Sequence, residues 1–158
     1  MLHWVSKKTK YILIVILVFL SILQFVGPER PATTTENPGD ILQVANISPE
    51  ISDMLKSACY DCHSMETQYP WYASIAPVSW FLYRHINHGR EELNFSEWAF
   101  LDKRSKLRVL KDIQEVLEEG EMPLSSYVNM HEEAELTDAQ KEALMAWAKE
   151  FAGVVIKE

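Results

Sequence analysis

The sequence predicts an all-α body behind a single N-terminal transmembrane helix. Three observations predict it: an uncharged apolar run of sixteen residues near the N-terminus, apolar residues recurring at helical spacing through the later chain, and no sustained strand-like alternation. The length, 158 residues, allows one domain of moderate size and no elaborate multidomain enzyme.

The apolar run is Tyr11 to Val26, YILIVILVFLSILQFV. As a helix it covers roughly 24 Å at 1.5 Å per residue, slightly short of a ~30 Å hydrocarbon core. Lys10 and its neighbours can close the gap by snorkelling. A cleaved signal peptide is the alternative, but Phe25 is bulky where a signal cleavage site calls for a small residue. Residues 1–27 therefore read as an uncleaved anchor. Lys7, Lys8 and Lys10 precede the run and no lysine follows it closely, which orients the N-terminus to the cytoplasm. The rest of the chain is then exported, to the periplasmic side of the cytoplasmic membrane.

Residues 28–47 carry Pro28, Pro31, Pro38, Gly39 and a threonine run, and read as an extended linker. Residues 48–158 form the body. Ser48-Pro49 is a hydroxyl cap before a first-turn proline, and Ile51, Met54, Leu55 and Ala58 follow as one apolar stripe. A further helix begins after Pro77 and carries Arg84 to Arg90. Ser96 is expected to cap a long helix over about 97–119, which Gly120 would stop. Thr137 to Gln140 is a capping box that opens a last helix, with Leu144, Trp147, Ala148 and Phe151 on its apolar side.

Charge narrows the partners. The chain has 15 Lys and Arg against 23 Asp and Glu, a net charge of -8. The three charges before residue 28 are all basic, so residues 28–158 hold 12 basic and 23 acidic groups, net -11. So acidic a body disfavours nucleic acid, whose phosphates repel carboxylates. The acid run Glu115, Glu118, Glu119 and Glu121 flanks the loop after the long helix; it is a solvated charge run or a surface for a basic redox partner, because opposite charge speeds encounter.

The chemistry is concentrated at Cys59-Tyr60-Asp61-Cys62-His63, the only two cysteines of the chain and the histidine after them. C-x-x-C-H is the attachment signature of c-type haem. Thiols at i and i+3 of a helical turn face one way, so each can bond one porphyrin vinyl group. The following imidazole then reaches the iron. One motif implies one covalent haem c per chain. Three other uses of the thiols compete. A disulfide would close a loop too small to constrain the chain much. A thioredoxin-like pair needs βαβ units. A zinc site would have to recruit His85 and His88 at a spacing that fits zinc modules poorly.

The iron then calls for a ligand on its far side. Met122, in Gly120-Glu121-Met122-Pro123, follows a helix stop and is fixed by a proline. Methionine and histidine together raise the reduction potential and suit electron transfer. Met130 and His131 are the alternatives, and core filling is the ordinary role of Met54 and Met145. Arg84, His85, His88 and Arg90 are candidates for the haem propionates, or form a solvated helix face. Trp71, Tyr72, Trp80 and Trp98 pack the porphyrin or the core.

Taken together, several motifs resemble the bacterial haem-binding domain family related to cytochrome c. They are Leu55-x-x-Ala58-Cys59-Tyr60-Asp61-Cys62-His63-Ser64, Tyr69-Pro70-Trp71-Tyr72, and Ile75-Ala76-Pro77-Val78-Ser79-Trp80. Gly89-Arg90-x-x-Leu93-Asn94-Phe95-Ser96-x-Trp98 and Gly120-Glu121-Met122-Pro123-x-x-Ser126-Tyr127 continue the likeness. His131-x-x-Ala134-x-Leu136-Thr137 and Trp147 complete it. The likeness spans about residues 48–150. It implies a cytochrome c-like fold, haem attached at Cys59 and Cys62, and iron held by His63. Leu124 stands where that family often has a second proline, which leaves the proposed ligand untouched.

The function expected is that of a membrane-anchored monohaem c-type cytochrome carrying electrons, without catalytic residues of its own. The alternative is a haem-based sensor or small-ligand binder with a weak or vacant sixth iron position. A di-haem peroxidase would need a second attachment motif.

Overall fold

The computed structural model describes residues 6–157, and every regular element among them is helical. Eight α-helices follow in order: α1 Lys7–Leu23, α2 Ile41–Val44, α3 Pro49–Ala58, α4 Tyr60–His63, α5 Val78–Glu92, α6 Lys103–Glu118, α7 Ser125–Val128 and α8 Asp138–Lys157. Short 3-10 turns occupy Trp71–Ser74, Phe95–Phe100 and Glu132–Ala134. The all-α class is the one the sequence predicts.

The described chain forms two compact units. The first joins the residues up to Pro31 with Tyr69–His85, and the second joins Ala32–Gln68 with Ile86 onward.

In the first unit, α1 has no buried residue, and its apolar side chains from Tyr11 to Ile22 are exposed. The predicted transmembrane helix is not met as such. No helix among the described residues is long and apolar enough to cross a membrane. The physical reason is length: α1 has 17 residues, its first turn is spent on Lys7, Lys8 and Lys10, and Gln24 already caps its end. Roughly 26 Å of helix falls short of a ~30 Å hydrocarbon layer.

The second unit is built around the pairing of α6 with α8, with α3 packed on α4 and α8. Its core contains Leu55 of α3, Leu110 of α6, Leu144 and Val155 of α8, and Phe95. Trp98 is core as well, and Phe151 stacks on both Trp98 and Trp147. Ile41 also lies in this core with none of its surface exposed. The stretch read as linker therefore contains a helix and a core residue at its C-terminal end. Side chains produce this: Asp40 caps α2 by accepting the Leu42 N–H at 2.9 Å. Upstream, Thr34 donates its backbone N–H to the Met65 carbonyl, and Asn37 donates to Glu66.

The long helix expected from Ser96 divides in two. Asn94, not Ser96, caps the first turn by accepting the Ser96 N–H at 3.1 Å. The chain then extends at Leu101, and Asp102 starts α6 by accepting the Ser105 N–H at 2.7 Å. An aspartate cap in mid-segment competes with helix continuation, because its carboxylate satisfies a backbone donor outside the helix. The expected caps at Ser48 and Thr137 are present, and Gly120 ends α6 with a positive φ of 71°.

Candidate haem site

Cys59 sits at the junction of α3 and α4, ending one helix and starting the other. Its N–H donates to the Leu55 carbonyl, and its own carbonyl accepts from both Cys62 (3.2 Å) and His63 (2.9 Å). This single helical turn sets the two thiols on one side, as residues three apart require. Both cysteines are half-buried and not joined to one another. Loss of hydration, then the neighbouring Cys62, pushes the Cys59 thiol up to about 12. Loss of hydration and Asp61 push Cys62 up to about 11, with Arg90 acting the other way. Both are thiols, not thiolates, at neutral pH.

His63 is oriented from below. Its Nδ1 lies 3.1 Å from the Leu93 carbonyl oxygen. A carbonyl only accepts, so Nδ1 carries the proton in this bond. Burial holds the imidazole below its ordinary pKa despite the carbonyls of Leu93 and Gly89, so the ring is neutral. In a neutral ring protonated at Nδ1, the lone pair resides on Nε2, the form that ligates a metal.

The turn is held by four contacts to the rest of its unit. Gly89 of α5 packs directly on it: a Cβ there would stand 2.7 Å from the Cys62 carbonyl oxygen. Arg90 donates from Nε to the Ser64 carbonyl (2.8 Å), and from its terminal nitrogens to Thr67 Oγ1 and the Ala32 carbonyl. Tyr60 is buried between motif and core. It stacks on Phe95 at 5.3 Å and donates its hydroxyl to Asp40 Oδ1 at 2.7 Å. Asp61 accepts the Tyr127 hydroxyl on Oδ2 and the Gln68 N–H on Oδ1, each at 2.7 Å.

Of the sequence-predicted residues, Cys59, Cys62 and His63 are thus gathered into one turn. Met122 is not in that turn. It lies partly buried in the loop after α6, its N–H donating to the Val116 carbonyl. The loop and α7 are tied to the motif at Tyr127, through its bond to Asp61. His131 stacks on Tyr127 at 4.5 Å and bonds Glu133 through Nδ1, while Met130 is exposed. Arg90 donates to the Ser64 and Ala32 carbonyls and to Thr67. Arg84, His85 and His88 are exposed. Among the described residues no group of three or more His, Cys, Asp or Glu side chains could hold a metal ion, so the zinc alternative lacks its ligands. With no strand among them either, the thioredoxin alternative lacks its sheet.

Sequence reading missed Asp40, Gly89 and the Leu93 carbonyl as parts of the site. Asp40 had a local signal, an aspartate before Ile41-Leu42 in cap position. Gly89 and Leu93 stood in a motif of the family resemblance, but nothing local assigned them a role, which is set by how the end of α5 lies against the turn.

Two unjoined thiols one turn apart, beside a neutral imidazole with its Nδ1–H already engaged, fit a covalently held haem. A family model described as the haem-binding domain matches residues 18–150. The chain belongs to the haem-binding domain family. No curated protein and no solved structure matches it. The match runs from the last part of α1 through most of α8, well beyond the five-residue motif.

Proposed function

We propose that this haem-binding domain is a membrane-anchored monohaem c-type cytochrome of cytochrome c-like fold, passing electrons on the exported side of the membrane. One observation carries the reading: the fixed His63 tautomer, with Nδ1 held by Leu93, next to two thiols on a single turn. Haem, when bound, supplies a reversible one-electron change at its iron. The chain's own part is to hold and position. Cys59 and Cys62 would form the two thioether links, and His63 Nε2 would ligate the iron. Protonated thiols resist stray oxidation, since the thiolate is the reactive form.

Met122 is the residue that, with His63, would hold the haem iron. Support comes from its partly buried loop, tethered near the motif by Tyr127 and Asp61. The exposed carboxylates Glu115, Glu118, Glu119 and Glu121 would meet a basic redox partner. Anchoring falls to α1, whose apolar residues from Tyr11 to Ile22 are exposed. No side chain is assigned a catalytic role.

The test is extraction. The purified, denatured protein should keep its haem through acid-acetone treatment, and Cys59→Ala with Cys62→Ala should lose it; loss from the unaltered protein would refute covalent attachment. The oxidised protein should also show the methionine–iron charge-transfer band, absent in Met122→Ala. Rapid carbon monoxide binding to the untreated reduced protein would instead favour the sensor alternative.

A further inference from the structure

We infer that the first compact unit docks on the surface of a lipid bilayer through Phe25, Trp71, Ile75, Val78 and Phe81. The inference rests on α1 being the membrane anchor, and it concerns what happens at the end of that helix. These five side chains are exposed, Phe25 at 90%, Trp71 at 78% and Phe81 at 66%. Isolated exposed apolar residues are common, but so many large ones in two short segments call for a partner.

The segments are fixed to the end of α1. Gln24, the residue that caps α1, uses both ends of its carboxamide on one residue. Its Nε2 donates to the Ala76 carbonyl at 3.3 Å, and its Oε1 accepts the Ala76 N–H at 3.1 Å. Gly27 packs against the Trp80 indole so closely that a Cβ would stand 2.2 Å from Nε1. Arg30 lies 3.8 Å over the Tyr69 ring, and Tyr69 donates its hydroxyl to the Pro31 carbonyl. These contacts hold the Tyr69–Phe81 stretch at the C-terminal end of the apolar helix. Val78 and Phe81 are three apart on α5 and share a face.

Three observations select a lipid surface as the occupant. The patch is continuous in sequence and contact with α1, whose apolar surface is exposed all round. That helix is a few ångströms short of a bilayer core, the shortfall that apolar and aromatic residues beyond its end would make up. Charge points the same way. At the patch end of α1 this unit carries Arg30 and Arg84 against one acidic residue, Glu29, a net +1, while Lys7, Lys8 and Lys10 lie at the other end of the helix and face the opposite headgroups. The other unit holds the remaining ten basic and 22 acidic residues, a net -12. From Tyr69 to His85 there is no carboxylate to be carried against anionic headgroups.

The full haem-loaded chain can be reconstituted in vesicles of phosphatidylcholine and phosphatidylglycerol, with and without brominated acyl chains. Flotation after carbonate washing reports α1. The bromine-dependent loss of tryptophan fluorescence reports the patch, by comparing the unaltered chain with Trp71→Phe and Phe81→Trp. Docking predicts that all three float, that Trp71→Phe removes a lipid-quenched component, and that Phe81→Trp adds one, as for an interfacial indole. Flotation with both reporters unquenched by bromine and open to aqueous iodide would overturn the docking while leaving the anchor intact. Reporters shielded from bromine and iodide alike, in a chain that sediments as a dimer, would give the face to a second copy and also overturn it. A chain that does not float would refute the anchor and the docking together.

Discussion

Gly89 lies against Cys62 so closely that a Cβ on it would stand 2.7 Å from the Cys62 carbonyl oxygen and 3.3 Å from the Cys62 Cβ. The contact is backbone on backbone, so neither side can turn away. It lets the end of α5 rest on the C-x-x-C-H turn, and four residues later the same strand of chain presents the Leu93 carbonyl to His63. Gly89→Ala gains about 1 kcal/mol of helix propensity but must displace the turn, at about 1–3 kcal/mol. A net loss of stability is expected in urea titration, together with reduced haem loading. Gly153 in α8 is the control: nothing lies within 4 Å of its Cβ position. Gly153→Ala should stabilise by roughly 0.5–1 kcal/mol. Equal behaviour of the two variants would show that the close approach does not exist.

Such a contact marks the boundary of what the sequence discloses. The caps at Ser48 and Thr137, the α3 stripe and the turn bearing Cys59, Cys62 and His63 are local, and local patterns report them. The division of the segment after Ser96 was legible in principle at Asp102, but its apolar periodicity continues across the break and hid it. Gly89, Leu93 and Asp40 became part of the site through packing between elements distant in sequence. No spacing rule encodes that.

Tyr127 supplies a test of the link between the Met122 loop and the motif. Its hydroxyl donates to Asp61 Oδ2 at 2.7 Å, and desolvation together with that carboxylate keeps the phenol protonated well above its ordinary range. Tyr127→Phe keeps the ring and its stack on His131 but leaves the carboxylate oxygen short of a donor. The expected cost is about 1–3 kcal/mol. If the loop holds the sixth ligand, the methionine–iron band should also weaken in the variant on mild heating. An unchanged stability and band would mean that the bond is dispensable for both.

Asp40 tests whether the former linker belongs to the site's foundation. Its buried carboxylate accepts from the Tyr60 hydroxyl at 2.7 Å, the Ser96 hydroxyl at 3.1 Å and the Leu42 N–H at 2.9 Å. Asp40→Ala strands three donors in a region with little water. A loss of roughly 2–4 kcal/mol is expected in thermal or urea unfolding, larger than for Tyr60→Phe, which removes one of the three. A smaller loss for Asp40→Ala than for Tyr60→Phe would contradict the arrangement.

The thiols make the last prediction, for protein prepared without haem. Cys59 and Cys62 are pushed up to about 12 and about 11 from an ordinary value of 9.0. A raised thiol pKa means that the folded state keeps its protons longer than the unfolded one. Their contribution to stability is therefore constant below about pH 9 and declines as pH rises through the folded values, with no acid-side effect. Alkylation follows the thiolate. At pH 8 iodoacetamide should react roughly a hundredfold slower than with an exposed cysteine. The rate should climb with pH to about 11 without a plateau near 9. A plateau near 9 would show that water reaches both sulfurs freely, and with it would go the picture of a turn kept protonated until haem arrives.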